Sequence, residues 1–326
     1  MKFTHRTHCI PRRAAMAVLL GAASWGSLAA ETWPQQPLRL IVPFGAGGVT
    51  DTTARVFADG ISKQLGQPVI VENRPGAGGS IAAGMVAKSK PDGYTLLVVT
   101  NGIFAVNPHI YPQLPYNPSR DFSYIAMLAN TPNILAVSAN SPYTSLQAVI
   151  DAAAKGEEKI SFATAGEGSD NYQILQLLQQ ATHTKWLHVP YKSGTESLTA
   201  VMGGTADATA ISAATSQSFI KSRQIRAFAV TSARRLPDQP DIPTVKEVLG
   251  KSIEGGSLSG IAAPAGTPDA VLQRLNAAIT QVARSDVAKD KVFSRGSEPV
   301  DTSQEAFQAR VKQEQAKWAA ILKPTR

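Results

Sequence analysis

The chain has 326 residues, 43% of them hydrophobic and 17% charged, a composition that excludes a disordered protein and leaves room for two lobes of ordinary size. The formal charge is +8, but Lys2, Arg6, Arg12 and Arg13 all fall in the first thirty residues, which hold no acid, and without them the charge is +4. The remaining charges are scattered with no basic run, which excludes a nucleic-acid surface.

The basic start leads into an apolar run from Ala14 to about Leu28, then into the small residues Ser27, Leu28, Ala29 and Ala30. This is the three-part pattern of a secretory signal peptide, so residues 1–30 are expected to be cleaved and the mature chain exported to the periplasm. The run is shorter than the roughly 20 residues a membrane-spanning helix needs. Arg12-Arg13 raises the twin-arginine export route, although the surrounding residues fit that motif poorly. The single cysteine, Cys9, lies in this leader, so the mature chain has no disulfide, thiol nucleophile or cysteine metal site.

Residues 38–44 form a branched apolar run that predicts a buried strand. Residues 50–65 then carry Ala54, Phe57, Ile61 and Leu65 at helical spacing. A second strand is predicted at 69–71, a helix at 80–87 and a third strand at 96–99. After a proline-rich connection at 108–118, strands are predicted at 134–137, 160–163 and 225–230. Helices are predicted at 172–182, 196–202, 271–283 and 305–322. Short apolar strands alternating with amphipathic helices predict an α/β fold with a parallel sheet covered on both faces.

Three glycine-rich turns precede predicted helices: Gly45-Ala46-Gly47-Gly48, Gly76-Ala77-Gly78-Gly79 and Gly166-Glu167-Gly168-Ser169. Glycine permits positive φ and close approach by a ligand, and the first turn of a helix offers free N–H groups and a positive dipole end. Such a turn binds a carboxylate or phosphate without a cationic side chain. The first and third turns directly follow predicted strands. The dinucleotide fingerprint fails, because its third glycine falls at Thr50 in the first turn and at Ile81 in the second, and no turn ends in the Gly-Lys-Ser/Thr of a phosphate-binding loop.

No catalytic constellation emerges. His109, His183 and His188 have no metal-ligand spacing, and there is no Gly-x-Ser-x-Gly elbow. Ser218-Phe219-Ile220-Lys221 matches the serine–lysine tetrad of penicillin-binding enzymes, and Lys192-Ser193-Gly194 resembles that family's third element, but their order along the chain is wrong. Both read as chance. Asp51, Asp170, Asp207 and Glu167 lie near turns, and N-capping is the simpler role for Asp51 or Thr50. The chain is therefore expected not to be an enzyme and to need no cofactor and no metal. The alternative is a secreted α/β hydrolase acting on an acidic substrate.

Five blocks in order, "LRLIVPFGAGGVTDTTAR", "VIVENRPGAGGSIAAGMVAKSKPDGYTLL", "HVPYKSGTESLTAVMGGTADA", "IRAFAVTSARRLPDQPDIPTVKE" and "IAAPAGTPDAVLQRLN", closely resemble the solute-binding receptors of tripartite tricarboxylate transporters, the Bug proteins. The resemblance runs from about Pro37 to about Lys317. It implies a two-lobed periplasmic binding protein, a flytrap of type II character, with ligand in the inter-lobe cleft and no chemistry performed. It further implies a discontinuous first lobe, residues 31–129 plus 227–326, a second lobe over 130–226, and a hinge near Ala129 and Ala227. The implied function is capture of a small carboxylate for uptake or sensing, with an inner-membrane permease or a sensor protein as partner and a monomeric receptor.

By the same resemblance, ligand contacts fall on Phe44, Gly45, Ala46, Gly47, Gly48, Val49, Thr50 and Asp51, and on the facing loop with Thr164, Gly166, Gly168, Ser169, Asp170 and Asn171. Asn101, Thr209 and Ser212 are further polar candidates, and the loop from Gly76 to Ser80 is left open. The chain departs from the family at Tyr172, often histidine, at Ile211, near an aspartate that pairs with an ammonium group, and at Leu258, often tryptophan. These departures imply a ligand that is not an amino acid but a plain dicarboxylate or an aromatic acid.

Overall fold

The computed structural model describes residues 1–2, 33–156 and 159–322. The expected leader, apart from Met1 and Lys2, lies outside the described residues. Met1–Gln35 and Gln36–Arg326 are separate compact units, and the second carries everything that follows. Its strands and helices run β1 (Leu38–Val42), α1 (Val49–Leu65), β2 (Val69–Asn73), α2 (Ser80–Ala87), β3 (Thr95–Thr100), α3 (Asn107–Ile110), β4 (Phe122–Ser138), α4 (Leu146–Ala154), β5 (Ser161–Thr164), α5 (Asp170–Thr182), β6 (Leu187–Pro190), α6 (Gly194–Met202), β7 (Ala208–Ser212), α7 (Ala213–Lys221), β8 (Ile225–Val230), α8 (Val245–Leu249), β9 (Gly256–Pro264), α9 (Asp269–Ala283), α10 (Asp286–Lys291) and α11 (Gln304–Ile321). A π-helical turn, Gly102–Val106, joins β3 to α3.

Local sequence explains the elements that were expected. Leu38, Leu40, Ile41 and Val42 are fully buried, as a strand covered on both faces requires. Helix α1 buries Phe57, Ile61 and Leu65 on one face and stops at Gly66, whose φ of 70° suits glycine. Burying Phe57 or Ile61 stabilises by about 1.5–3 kcal/mol each.

The sheet is mixed rather than parallel. β1 is parallel to β2 and β3, and β5 is parallel to β6 and β7. β9 runs antiparallel between β3 and β4. Pairing changes along β4: Phe122–Pro132 pairs with β9, whereas Asn133–Ser138 pairs with β7 and β8. The Thr231 hydroxyl ties this point together, accepting from Asn133 N at 2.8 Å and donating to Gly255 O at 2.6 Å. One aromatic cluster, Phe104, Tyr124 and Phe307, packs edge-to-face on the β3–β9–β4 side, and Phe162 with Trp186 does so on the other.

Candidate ligand-binding site

Parallel strands present their carboxyl ends to one side, and the crevice there is where open α/β sheets bind ligands. Four strand-to-helix turns of this chain meet at a single cavity of about 390 Å³. The β1–α1 turn contributes Phe44, Gly45, Ala46, Gly47, Gly48, Val49 and Thr50. The β5–α5 turn contributes Ala165, Ser169, Asp170 and Asn171. Lys192, Ser193, Gly194 and Thr195 come from β6–α6, and Ala210, Ile211, Ser212 and Thr215 from β7–α7.

The four helix N-termini differ in what already fills them. α5, α6 and α7 are capped by their own serines: Ser169 accepts from Tyr172 N, Ser193 from Glu196 N and Ser212 from Thr215 N. α1 begins after Gly48 with no side-chain cap, and it is the longest of the four at 17 residues. Its first-turn N–H groups and positive dipole end are left open to the cavity.

Neither Asp51 nor Thr50 is the N-cap. The Asp51 carboxylate turns away from the cavity and accepts from Gly47 N at 2.9 Å, Arg55 Nε at 3.1 Å and Asn73 Nδ2 at 2.8 Å. Asn73 Nδ2 also donates to Phe44 O at 2.9 Å. Carboxylate and amide together hold the loop's shape, in which Gly47 takes a φ of 83°. Burial pushes the Asp51 pKa up, but Arg55, the Gly47 N–H and Asn73 outweigh it and hold the group below its ordinary value.

The β5–α5 loop is satisfied from within. Asn171 Oδ1 accepts from Ala165 N at 3.0 Å, Ser169 Oγ at 2.7 Å and Tyr172 N at 3.1 Å. Thr164 Oγ1 lies 2.6 Å from His188 Nε2 and accepts from Gly166 N at 3.1 Å. Asp170 faces the cavity. Burial raises its pKa, against the pull of the Asn133 amide and of the Asp170 and Asn171 N–H groups, and no cation is among its partners. The Asn133 amide favours this carboxylate by proximity yet closes no hydrogen bond of normal geometry.

Of the residues singled out in the sequence, Phe44 to Thr50, Ser169, Asp170, Asn171 and Ser212 line the cavity. Asp51 and Thr164 shape its loops instead, and Gly166 and Gly168 supply the left-handed backbone of the second turn, with φ of 91° and 79°. Thr209 Oγ1 donates to Ala163 O at 2.8 Å inside the sheet. Asn101 lies beneath the cavity against a separate small void. Gly78 and Gly102 pack against Glu167 and Gly168 and do not line the cavity.

Sequence reasoning missed Lys192, Ser193, Gly194, Thr195, Ala210 and Thr215, whereas Ala165 lies within the facing loop, Thr164 to Asn171, that it had selected. The triplet Lys192-Ser193-Gly194, read as a chance likeness, opens α6. The signal available was a short strand followed by serine with glutamate three residues on, the same strand-to-helix construction without a glycine pair. Ile211 puts an apolar side chain in the wall, as its sequence implied.

These features define a two-lobed periplasmic binding protein of the flytrap type, with its ligand site in the cleft. The sequence profile described as "Tripartite tricarboxylate transporter family receptor" matches residues 53–326, and the chain belongs to that family. It is similar to the periplasmic binding protein BugD, with 32% identity, 89% of this chain and 98% of that one covered, and a TM-score of 0.83. A protein of R. palustris solved with adipate is 33% identical, with 89% and 97% covered and a TM-score of 0.84. MatC of Rhodopseudomonas palustris, solved with malate, is 28% identical, with 89% and 100% covered and a TM-score of 0.84. The family is one of periplasmic solute-binding receptors, not of enzymes. No helix among the described residues is long and apolar enough to cross a membrane.

Proposed function

We propose that this chain is a periplasmic receptor, exported by cleavage of residues 1–30, that captures a small carboxylate and presents it to an inner-membrane permease or a sensor. The observation that carries this reading is the uncapped N-terminus of α1, open to the cavity while the three neighbouring helices are capped by serine. Charge-assisted N–H bonds of about 1.5–3 kcal/mol each, a few of them together, reach micromolar affinity before binding costs. The apolar wall of Phe44, Val49, Ala165, Ala210 and Ile211 favours a non-amino dicarboxylate or an aromatic acid. Adipate and malate in two similar structures support the carboxylate class.

The receptor works as a monomer that closes about a hinge. The change of pairing at Pro132/Asn133 on β4, with Thr231 and Gly255 beside it, supports lobes divided near residues 130 and 227. The test is a thermal-shift panel on residues 31–326, stripped of ligand by unfolding and refolding. The panel spans amino acids, aliphatic di- and tricarboxylates and aromatic acids. A saturable rise with one carboxylate class, about 2.7 kcal/mol at a hundred times Kd, and no turnover is expected. No shift with any carboxylate overturns the reading, and consumption of the compound replaces it with an enzyme.

A further inference from the structure

Beneath the main cavity lies a second void of about 10 Å³, and Phe44 and Asp170 line both. The small void is closed by Thr100 and Asn101 at the end of β3, Gln173 on α5 and the first residues of β9. Its volume is that of one water-sized group. Thr100 is 6% exposed and Asn101 5% exposed, and neither Thr100 Oγ1 nor Asn101 Oδ1 has a hydrogen-bond partner. Asp170 adds a carboxyl whose partners, the Asn133 amide and the Asp170 and Asn171 N–H groups, include no cation.

The void therefore holds an unpaired acceptor, Asn101 Oδ1, and an unpaired hydroxyl, Thr100 Oγ1, beside the Asp170 carboxylate. Buried acceptors left unpaired are costly, and native proteins fill such sites. A second ligand carboxylate does not fit here, since it is larger than a void of about 10 Å³ and would set its charge against Asp170. A hydroxyl or an ammonium group does fit, in size and in polarity. Phe44 belongs to the loop that opens on the α1 N-terminus, so the void adjoins the position of the ligand carboxylate.

We infer that Asp170, Asn101 and Thr100 form an acceptor subsite that takes a hydrogen-bond donor carried by the ligand on the carbon beside its carboxylate, so that the preferred ligand is a 2-substituted acid. This inference rests on the carboxylate reading above and names the chemistry next to that carboxylate. Hydroxyl and ammonium share the chemistry, and the experiment separates them. Asp170 provides the discrimination, because a hydrogen bond to a charged group is worth more than one to a neutral group. An empty subsite leaves Asn101 Oδ1 unpaired, which adds to the penalty on an acid lacking the donor.

The test is calorimetric titration of the stripped mature protein at neutral pH with matched trios. One trio is succinate, malate and aspartate; the other is phenylacetate, mandelate and phenylglycine, with both enantiomers of each chiral member. In the trio that binds, a donor-bearing member is expected to bind on the order of ten- to a hundredfold tighter than the plain acid. Asp170→Asn is expected to shrink that preference, read as the ratio of the two affinities, to within about threefold. Asn101→Ala provides a second variant if Asp170→Asn does not fold, with the preference again reduced. Preference for the hydroxy acid identifies a hydroxyl. Preference for the amino acid identifies an ammonium and removes the non-amino reading, with the subsite intact. Plain acids binding as tightly as their substituted partners overturn the inference and leave the carboxylate receptor standing. Binding of no acid at all overturns both.

Discussion

Gly102 opens the π-helical turn after β3, and Gly168 lies in the β5–α5 loop. A Cβ on Gly102 would lie 2.1 Å from Gly168 O and 3.2 Å from its carbonyl carbon. Favourable contact needs about 3.5 Å or more, so Gly102→Ala requires the two loops to part by about 1.4 Å. Overpacking of this kind costs about 1–3 kcal/mol. Gly102 belongs to the first proposed lobe and Gly168 to the second, so opening the cleft relieves the strain. The cost then falls on the closed, liganded state alone. The expected result for Gly102→Ala is a Kd raised about 5- to 150-fold, from 1–3 kcal/mol at 1.4 kcal/mol per tenfold, with an unchanged melting temperature in the absence of ligand. Gly78→Ala should act in the same direction, since its Cβ would lie 2.8 Å from Glu167 O, and its φ of 60° adds a cost present in both states. The assay pairs calorimetric titration of the best acid with unliganded thermal melts. An unchanged Kd together with a lowered unliganded melting temperature would refute the reasoning and reduce Gly102 to a packing residue of one rigid body.

Two further predictions concern groups whose pKa values are lowered by the fold. Asp51→Ala leaves the Gly47 N–H, Arg55 and Asn73 without their shared acceptor, and ligand affinity is expected to fall about tenfold as the loop loosens. Because the folded pKa of Asp51 lies below its ordinary 3.8, its stabilisation is present above that value and is lost as pH falls through the lowered one; the acid limb of a melting-temperature profile should be shallower in Asp51→Asn than in the parent. At α8, the Thr244 hydroxyl accepts from Glu247 N at 3.1 Å while the Glu247 carboxylate accepts from Thr244 N at 2.7 Å. Thr244→Ala is expected to cost about 1 kcal/mol, read as a melting-temperature drop of about 2–4 °C. Arg235 first, and then the Thr244 N–H, hold Glu247 at about 2, so the carboxylate's own part in the box is present above 4.5 and is lost as pH falls toward 2, whereas the hydroxyl cap does not titrate.

What the sequence made legible tracks the strength of local signals. The β1–α1 turn was readable because a branched apolar run, a glycine pair and a helical stripe through Phe57 and Ile61 follow one another. β9 was not, because Gly256–Pro264 is built of small residues. Its composition makes sense only in the fold, where a Cβ on Gly260 would lie 2.3 Å from Phe307 Cζ. β6 and β7 are four and five residues long, too short for alternation to emerge from LHVP and ATAIS. With them went the β6–α6 and β7–α7 turns apart from Ser212, and so much of the cavity. The first half of β4 was not predicted: Asn130, Pro132 and Asn133 are poor strand residues that part it from the run at 134–137, and in the sheet they mark the point where one long strand changes partners. Glycine marked the turns, but it did not say which turn holds ligand. Gly78, Gly102 and Gly168 are needed for close backbone approach, and of the three glycine-rich turns only the β1–α1 turn puts its glycines on the cavity.

The difference between the four helix N-termini can be tested by erasing it. Gly48 has φ −75° and ψ 168°, a conformation any residue adopts, and a Cβ there meets nothing nearer than Gly45 O at 3.9 Å. Gly48→Ser therefore places at α1 the cap that Ser169, Ser193 and Ser212 already give their helices. Its hydroxyl would accept from the first-turn N–H groups, and the unliganded protein should be stabilised by a few tenths of a kcal/mol, since glycine is only slightly worse than serine at this position. The same hydroxyl would occupy the donors assigned to the ligand carboxylate, so affinity should fall about tenfold or more, the loss of one charge-assisted bond. Gly48→Ala separates capping from bulk, because it adds the Cβ without the oxygen. Stability and affinity moving in opposite directions in the serine variant, with alanine close to the parent in affinity, is the signature of a helix end left open for a ligand. If serine and alanine weaken binding equally, the cavity is merely crowded at Gly48 and the carboxylate is held elsewhere.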